Sequence, residues 1–185
     1  MRKVIQTGVT LVELLVVIAI VGILAMIAVP NLQSFLDSSR LAAMTSDFNG
    51  ALALARSEAI KRQTPVTLIS AGTGAESLAS GWTIFVDTNP ATGVVPTTNP
   101  VIIAQQAAYG AGSLIGGPNM ARTGNREYVT FDTLGAAVRI GGAAGAASAN
   151  FKIVDSAGTI RRQGALCIDW NGRARYVKDM DSSAC

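Results

Sequence analysis

The stretch that decides the fold is Val9–Val29, which reads VTLVELLVVIAIVGILAMIAV. Its twenty-one residues carry a single charge, on Glu13. As a helix rising about 1.5 Å per residue, it spans roughly 32 Å, close to the hydrocarbon thickness of a bilayer. The stretch therefore predicts a helix that crosses a membrane once and anchors the rest of the chain there.

A short basic leader precedes this run and orients it. Positive charge on Arg2 and Lys3 keeps that end cytoplasmic and sends the following chain across the membrane. A cleaved secretory signal peptide has a shorter apolar region and a small-residue cleavage site. Here Ala25-Met26-Ile27-Ala28 continues directly into more apolar sequence, so an uncleaved signal anchor is the better simple alternative.

The composition argues against an enzyme. The chain of 185 residues contains no histidine, which removes the commonest general base and the commonest metal ligand. The acids are scattered, and the close pair Asp179 and Asp181 lacks the glycine-centred loop of a calcium site. No glycine-rich phosphate loop follows a strand in the required way. We expect no catalytic residues, no metal and no cofactor.

A second helical segment follows the membrane run. From Asn31 to Arg62, apolar residues recur at spacings of three and four, which predicts one apolar stripe lying on a soluble head. Gln63-Thr64-Pro65 ends the helix. The stripe comprises Leu32, Phe35, Leu36, Leu41, Met44, Phe48, Leu52, Ala55, Ala59 and Ile60.

After Pro65 the pattern changes to short β-rich runs bounded by Gly, Pro, Asn or Asp, which predict antiparallel sheets packed on the helix. The long segments 88–100 and 109–125 are predicted to be loops, and the Gly/Ala-rich segment 141–150 a mobile one. The predicted strands are Val66–Ser70, Trp82–Asp87, Val101–Gln106, Glu127–Asp132, Ala136–Ile140, Phe151–Asp155, Ile160–Ile168 and Arg173–Lys178.

Positive charge concentrates near the C-terminus. Residues 151–178 hold six bases against two acids, a net charge of +4. Arg173 and Arg175 alternate on a predicted strand and should share one face, whereas Arg161 and Arg162 should face opposite ways. With Lys178 they form a patch suited to a polyanion, and Trp170 and Tyr176 are available for base stacking. A solvated sheet face is the alternative interpretation, and both aromatic rings fit a core equally well.

The segment GVTLVELLVVIAIVGILAMIAVP, residues 8–30, resembles the class III signal of type IV pilins and type II secretion pseudopilins. The resemblance implies that a prepilin peptidase cuts between Gly8 and Val9 and then methylates the new amino terminus of Val9. It also implies that Glu13 pairs with a subunit's amino terminus during filament assembly, because a carboxylate within a bilayer is costly without a partner. The alternative is that Glu13 snorkels to the cytoplasmic interface. Phe is more usual than Val at the new first position.

A second resemblance narrows the family. ALALARSEAIKRQTPVTL, residues 51–68, and the Trp-containing run Gly81–Asp87 resemble the subfamily of the minor pilin FimT and the pseudopilin GspH. This implies the α+β type IV pilin fold, with a long N-terminal helix packed on an antiparallel two-sheet head. The implied divisions are the leader 1–8, the transmembrane half 9–30, the amphipathic half 31–63 and the periplasmic head 64–185. In pilin filaments the helix is often unwound around Gly22 to Pro30; a simple kink is the alternative.

The resemblance also bears on function. Asn171-Gly172-Arg173-Ala174-Arg175 resembles a Gly-Arg-x-Arg motif near the C-terminus of FimT-like pilins, where it is associated with binding DNA. It implies an inner-membrane subunit with a periplasmic head that joins other pilins in a type IV pilus. Such a subunit binds double-stranded DNA without sequence preference, for uptake in natural transformation. The alternative is a GspH-type pseudopilin of a type II secretion system.

Two cysteines lie on either side of the last three bases of this segment, Arg173, Arg175 and Lys178. In a periplasmic head, Cys167 and Cys185 can form a disulfide, with free thiols as the alternative. The bond would close a loop of about nineteen residues and contribute on the order of 3 kcal/mol.

Overall fold

The structure is a computed structural model that describes residues 10–74, 76–89, 100–116, 121–123, 125–138 and 147–178. One long helix, α1 (Leu11–Arg62), precedes the described strands, and a short 3-10 helix spans Leu78–Ser80. The strands are β1 (Val66–Ser70), β2 (Trp82–Val86), β3 (Ile102–Gln106), β4 (Ser113–Gly116), β5 (Ala121–Thr123), β6 (Arg126–Phe131), β7 (Ala137–Val138), β8 (Ala147–Val154), β9 (Ile160–Ile168) and β10 (Ala174–Lys178).

Side chains and backbone define both ends of α1. The Thr10 hydroxyl accepts a hydrogen bond from the Glu13 amide at 3.2 Å, satisfying one of the free N–H groups of the first turn. At the other end Gln63 adopts φ 51°, a left-handed conformation that stops the helix. In the last turn, Arg62 donates to Glu58 at 2.5 Å and, with Lys61, lowers the pKa of that carboxyl. The predicted C-terminal end of the helix is confirmed.

The N-terminal part of α1 is long and apolar enough to cross a membrane. An 18-residue window reaches a mean hydropathy of 3.0, with none of it buried in the chain. In this single chain, α1 is helical through Gly22 and Pro30. The expected unwinding concerns the assembled filament, and it stays a prediction.

The chain divides into two compact units between Ser38 and Ser39. The described part of the first unit is almost entirely α1, with its apolar side chains exposed. The second holds the rest of α1 and the described strands. The boundary predicted after Pro30 is of another kind: it is the point where the helix leaves the membrane. That boundary stays a prediction.

The second unit contains two antiparallel sheets. In one, the strand order is β3-β2-β1-β6-β5, and β7 pairs with β6. In the other, the order is β10-β9-β8-β4. The predicted head of antiparallel strands in two sheets is thereby confirmed.

The C-terminal half of α1 supplies one side of the core. Leu41, Met44, Phe48, Leu52, Ala55 and Ala59 are all at most 6% exposed and recur every three or four residues. The ring of Phe48 meets that of Phe151 on β8 edge to face, with centroids 5.6 Å apart. The predicted stripe is correct from Leu41 to Ala59. Its outer members are exposed, namely Leu32, Phe35 and Leu36 at 58, 67 and 45% and Ile60 at 43%.

Some strands lie where loops were predicted. β4 and β5 fall within the segment 109–125, and β8 begins at Ala147, inside the segment predicted to be mobile. Small residues suffice for this strand because they pair with the buried end of β9: Ala149 is fully buried opposite Leu166. The predictions for residues 90–99 and 139–146 lie outside the described residues.

Candidate nucleic-acid interface

The predicted basic patch lies on the hairpin formed by β9 and β10. Their antiparallel register places Ala174 opposite Ile168, Arg175 opposite Cys167 and Lys178 opposite Gly164. Successive residues of a strand point to opposite faces. Because Leu166 and Ile168 belong to the core, Arg175 lies on the face of β10 that points away from it.

A tight turn positions Arg173. The Asp169 amide donates to the Arg173 carbonyl and the Gly172 amide donates to the Asp169 carbonyl, each at 2.8 Å. The Asn171 side chain accepts from the Arg173 amide at 3.0 Å, and Gly172 takes φ 77°. Arg173 therefore belongs to the turn that precedes β10. The prediction that it lies on the strand is wrong, because the strand begins one residue later, at Ala174.

The hairpin separates the bases into two groups. Arg173 and Arg175 lie at the turn, whereas Arg161 and Arg162 lie near the start of β9, six or seven residues from its other end. At about 3.3 Å per residue, this separation is roughly 20 Å along the strand. Lys178, at the end of β10, falls with Arg161 and Arg162 rather than with the turn.

Arg161 and Arg162 sit at an irregularity. The ladder between β8 and β9 shifts register after the pair Ile153–Arg162, and Val154 pairs with Ile160, so Arg161 is the extra residue of a bulge. Arg161 is exposed and Arg162 half-buried. The remaining base of the segment, Lys152, forms an ion pair with Glu76 at 2.6 Å and adds little net charge to the surface.

The two candidate stacking residues differ. Trp170, in the hairpin turn, is 65% exposed. Tyr176 is 41% exposed, and its ring lies over Gly164, where an added Cβ would meet Cε2 of the ring at 2.7 Å. Trp170 therefore offers a more open face for stacking than Tyr176.

Sequence reasoning missed a third base near the turn. Arg56 on α1 lies against the turn. A Cβ added to Gly172 would lie 3.2 Å from the Nε of Arg56. Arg56 and Arg173 line one groove, of about 620 Å³. The only sequence signal was that Arg56 lies just beside the apolar stripe, in the segment ARSEAIKR.

The other predicted sites are placed only in part. Gly8, Val9 and Cys185 lie outside the described residues, whereas Glu13 is in the exposed first turn of α1. Cys167 is 3% exposed on β9, and an Nη2 of Arg175 lies 3.9 Å from its sulfur. Among the described residues, no three His, Cys, Asp or Glu side chains form a group that could hold a metal ion.

Among the described residues, the most buried carboxylate has a structural role. Glu127 is fully buried and accepts hydrogen bonds from the amides of Ser77 and Glu76, at 2.9 and 3.3 Å. Arg122 contacts it at 3.3 Å. The two amides tie the segment before the 3-10 helix to the sheet, and Arg122 is the cross-strand neighbour of Glu127 on β5, so Glu127 joins elements of the fold.

Comparison with protein families decides the identity. Residues 44–172 match the family model of the type II transport protein GspH. The chain belongs to this family. Residues 5–29 also match the prokaryotic N-terminal methylation motif. The match covers the second half of the leader and the whole apolar run, and it fits an inner-membrane anchor.

A solved structure supports the fold of this GspH-family chain. The crystal structure of the type IV minor pilin FimU of Pseudomonas aeruginosa strain PAO1 is 17% identical, with a TM-score of 0.50. The match covers 82% of this chain and 95% of the FimU chain. The predicted type IV pilin fold is therefore confirmed. The minor pseudopilin EpsH of the Vibrio cholerae type 2 secretion system is 11% identical, with a TM-score of 0.46, over 77% of this chain and 99% of EpsH.

Family membership fixes the broad role. This GspH-family chain is a minor pilin or pseudopilin of a type IV pilus or a type II secretion system, and such proteins are structural subunits rather than enzymes. Subunits of this kind assemble with other pilins into a filament.

Proposed function

We propose that this GspH-family subunit is a minor pilin of a type IV pilus that binds double-stranded DNA for uptake in natural transformation. The observation that carries the proposal is the exposed turn of the β9–β10 hairpin, where Arg173 and Arg175 project. Neither arginine forms an ion pair with a carboxylate of the described residues. Two such guanidinium groups suit successive phosphates.

Binding of this kind is weak per subunit and does not depend on base sequence. Phosphate contacts carry no direct sequence information, and each releases counterions, so affinity falls steeply with salt. Trp170 adds stacking where a base is exposed at a duplex end. Arg161, Arg162 and Lys178, at the far end of the hairpin, form a second contact region for a longer duplex.

The test uses the full chain in detergent micelles and a labelled duplex of about thirty base pairs, titrated at several salt concentrations. Replacing Arg173 and Arg175 with Gln removes two phosphate contacts and should lower the salt slope by about 2. Lys61→Gln is the matched control, because Lys61 already pairs with Glu58. Unchanged affinity and slope in the double variant would rule out DNA binding at this turn.

The GspH family match favours the second candidate, a pseudopilin of a type II secretion system. Such a subunit contacts partner pseudopilins and secreted cargo. Deleting the gene separates the two: loss of DNA uptake with normal protein secretion supports the pilus, and the reverse supports the secretion system.

Processing of the N-terminus is part of the proposal. The prepilin peptidase cuts between Gly8 and Val9 and methylates Val9, and Glu13 then pairs with a subunit's amino terminus in the filament. Glu13→Leu keeps the cap on α1, since the Thr10 hydroxyl bonds to the backbone amide of residue 13. This variant should insert into the membrane but fail to enter filaments; normal incorporation would exclude the pairing.

We also propose that the head is periplasmic and that Cys167 pairs with Cys185. The bond would return the C-terminal tail to the outer face of β9, near Arg175. Mass spectrometry of the unreduced protein after digestion tests the pairing. A linked peptide containing both cysteines is expected, and complete labelling of both thiols without reduction would exclude it.

A further inference from the structure

A groove borders the C-terminal half of α1, within the second unit. Its volume is about 620 Å³, and its walls come from α1 and the β9–β10 turn. Leu52 and Ile60 contribute apolar side chains to its lining, and Asn49 and Ser57 contribute polar ones. Two cations, Arg56 and Arg173, enter the same space.

Arg56 is held in place without a hydrogen-bond acceptor. Its Nε is buried and has no hydrogen-bond partner among the described residues. The side chain packs against two turns: a Cβ on Gly135 would lie 2.9 Å from this Nε, and one on Gly172 would lie 3.2 Å from it. The side chain as a whole is half-buried, and a carboxylate can accept from a guanidinium in a two-pronged geometry.

The surroundings of the groove are apolar. Each of the two turns that border Arg56 exposes one large apolar side chain: Leu134, 81% exposed, and Trp170, 65% exposed. Exposed Trp and Arg side chains in one place are typical of the centre of a protein–protein contact, and Leu134 adds apolar area beside them. A contact with DNA is more polar.

Two of the nearby acids are engaged elsewhere. The Oδ1 of Asp132 accepts hydrogen bonds from the amides of Leu134 and Ala136. Glu58 is paired with Lys61 and Arg62 on the helix surface. Among the described residues, neither Arg56 nor Arg173 forms an ion pair with a carboxylate, and Asp169 is the acid in the same turn as Arg173.

We propose that this groove is a docking site for another protein subunit, which inserts an acidic side chain flanked by apolar ones. The carboxylate binds between Arg56 and Arg173, and the flanking side chains cover Trp170, Leu134 and Ile60. That the partner is a filament subunit rests on the family's role in assembly. The groove shares Arg173 with the proposed DNA contact, but Arg175 does not line it, so the two proposals can be tested apart.

The experiment uses the full chain in detergent micelles and reads the fluorescence of Trp170. The other tryptophan, Trp82, is 6% exposed, so a shift that Trp170→Phe abolishes reports on the groove. The probe is a blocked peptide of alternating leucine and aspartate, and its control has asparagine in place of aspartate. We expect a saturable blue shift with the acidic peptide and about ten-fold weaker binding of the asparagine peptide.

Variants assign the site. Arg173 is exposed, so Arg173→Gln should weaken peptide binding about ten-fold without affecting the fold. Arg56→Lys keeps the aliphatic stem and the charge but loses the two-pronged geometry, so it should also weaken binding. Arg161→Gln, at the far end of β9, should leave peptide binding unchanged.

The outcomes are distinct. No saturable shift, equal binding of the two peptides, or full binding by Arg173→Gln would overturn the docking site. A duplex that competes for the same Trp170 signal while the peptide does not bind would make the groove a DNA contact instead. Arg175→Gln separates this proposal from the proposed function: it should weaken DNA binding and leave peptide binding intact.

Discussion

Gly172 and Gly135 meet so closely that a Cβ on Gly172 would overlap the carbonyl oxygen of Gly135. Gly172 belongs to the turn between β9 and β10, and Gly135 to the turn between β6 and β7. A hydrogen bond of 3.0 Å from the Ala137 amide to the Trp170 carbonyl joins the same two turns. The end of one sheet is thereby fixed against the end of the other, and Arg173 takes its position from this contact.

Gly172→Ala should therefore destabilise the fold by about 2 kcal/mol or more. An alanine at φ 77° costs about 1 kcal/mol, and the clash with Gly135 adds to it. Gly158→Ala is the matched control, because Gly158 has φ 82° with nothing within 4 Å of an added Cβ. Urea unfolding of both variants measures the difference. Equal losses would mean that the two turns are not in tight contact.

Phe48→Ala should cost about 3–5 kcal/mol, because Phe48 is fully buried and meets Phe151 edge to face. For a chain of this size, the melting temperature should fall by roughly 10 °C. Phe35→Ala is the control: it lies on the same helix, is 67% exposed, and should leave the melting temperature of the head unchanged. A similar fall in both variants would contradict the assignment of the core.

Glu127→Gln should destabilise the head by about 1–3 kcal/mol. The amide group keeps the shape but replaces one acceptor oxygen with a donor that faces backbone N–H groups and Arg122. Glu76→Gln is the comparison in the same region, because it loses only the partly exposed ion pair with Lys152 and should cost less. The free energy of unfolding of the two variants decides the point, and the reverse order would exclude a structural role for Glu127.

The sequence predicted the elements that depend on local pattern. The apolar run, the stripe from Leu41 to Ala59 and most strand positions follow from periodicity and from turn residues. The strands β4 and β5, and the start of β8 at Ala147, carry no such signal, because short runs of small or mixed residues become strands only through pairing with a neighbour. The pairing of Ala149 with Leu166 is an example that only the folded chain provides.

The candidate site was predictable in composition but not in arrangement. The bases Arg161, Arg162, Arg173, Arg175 and Lys178 are evident in the sequence. Their division into two groups depends on the register that places Lys178 opposite Gly164. Arg56 joins the turn through packing between residues more than a hundred positions apart, which no local pattern encodes.

Tyr109 should ionise only at high pH. Burial raises the pKa of its phenol from the ordinary 10.0, with Trp82 acting in the opposite sense and the charge of Asp47 adding to the rise. The difference in ultraviolet absorbance between the unmodified chain and the Tyr109→Phe variant, followed from about pH 9 to about pH 12, isolates this titration. Its midpoint should lie above pH 10.0.

The same shift has a consequence for stability. In the unfolded chain the phenol ionises near its ordinary pKa, whereas the folded chain keeps it neutral to higher pH. The stability from a neutral Tyr109 is fully present below pH 10.0 and is lost as the pH rises through the folded pKa. Relative to Tyr109→Phe, the unmodified chain should therefore lose stability on alkaline titration and show a constant difference below that range. A midpoint at or below pH 10.0, or no alkaline divergence between the two chains, would show that the phenol is solvated.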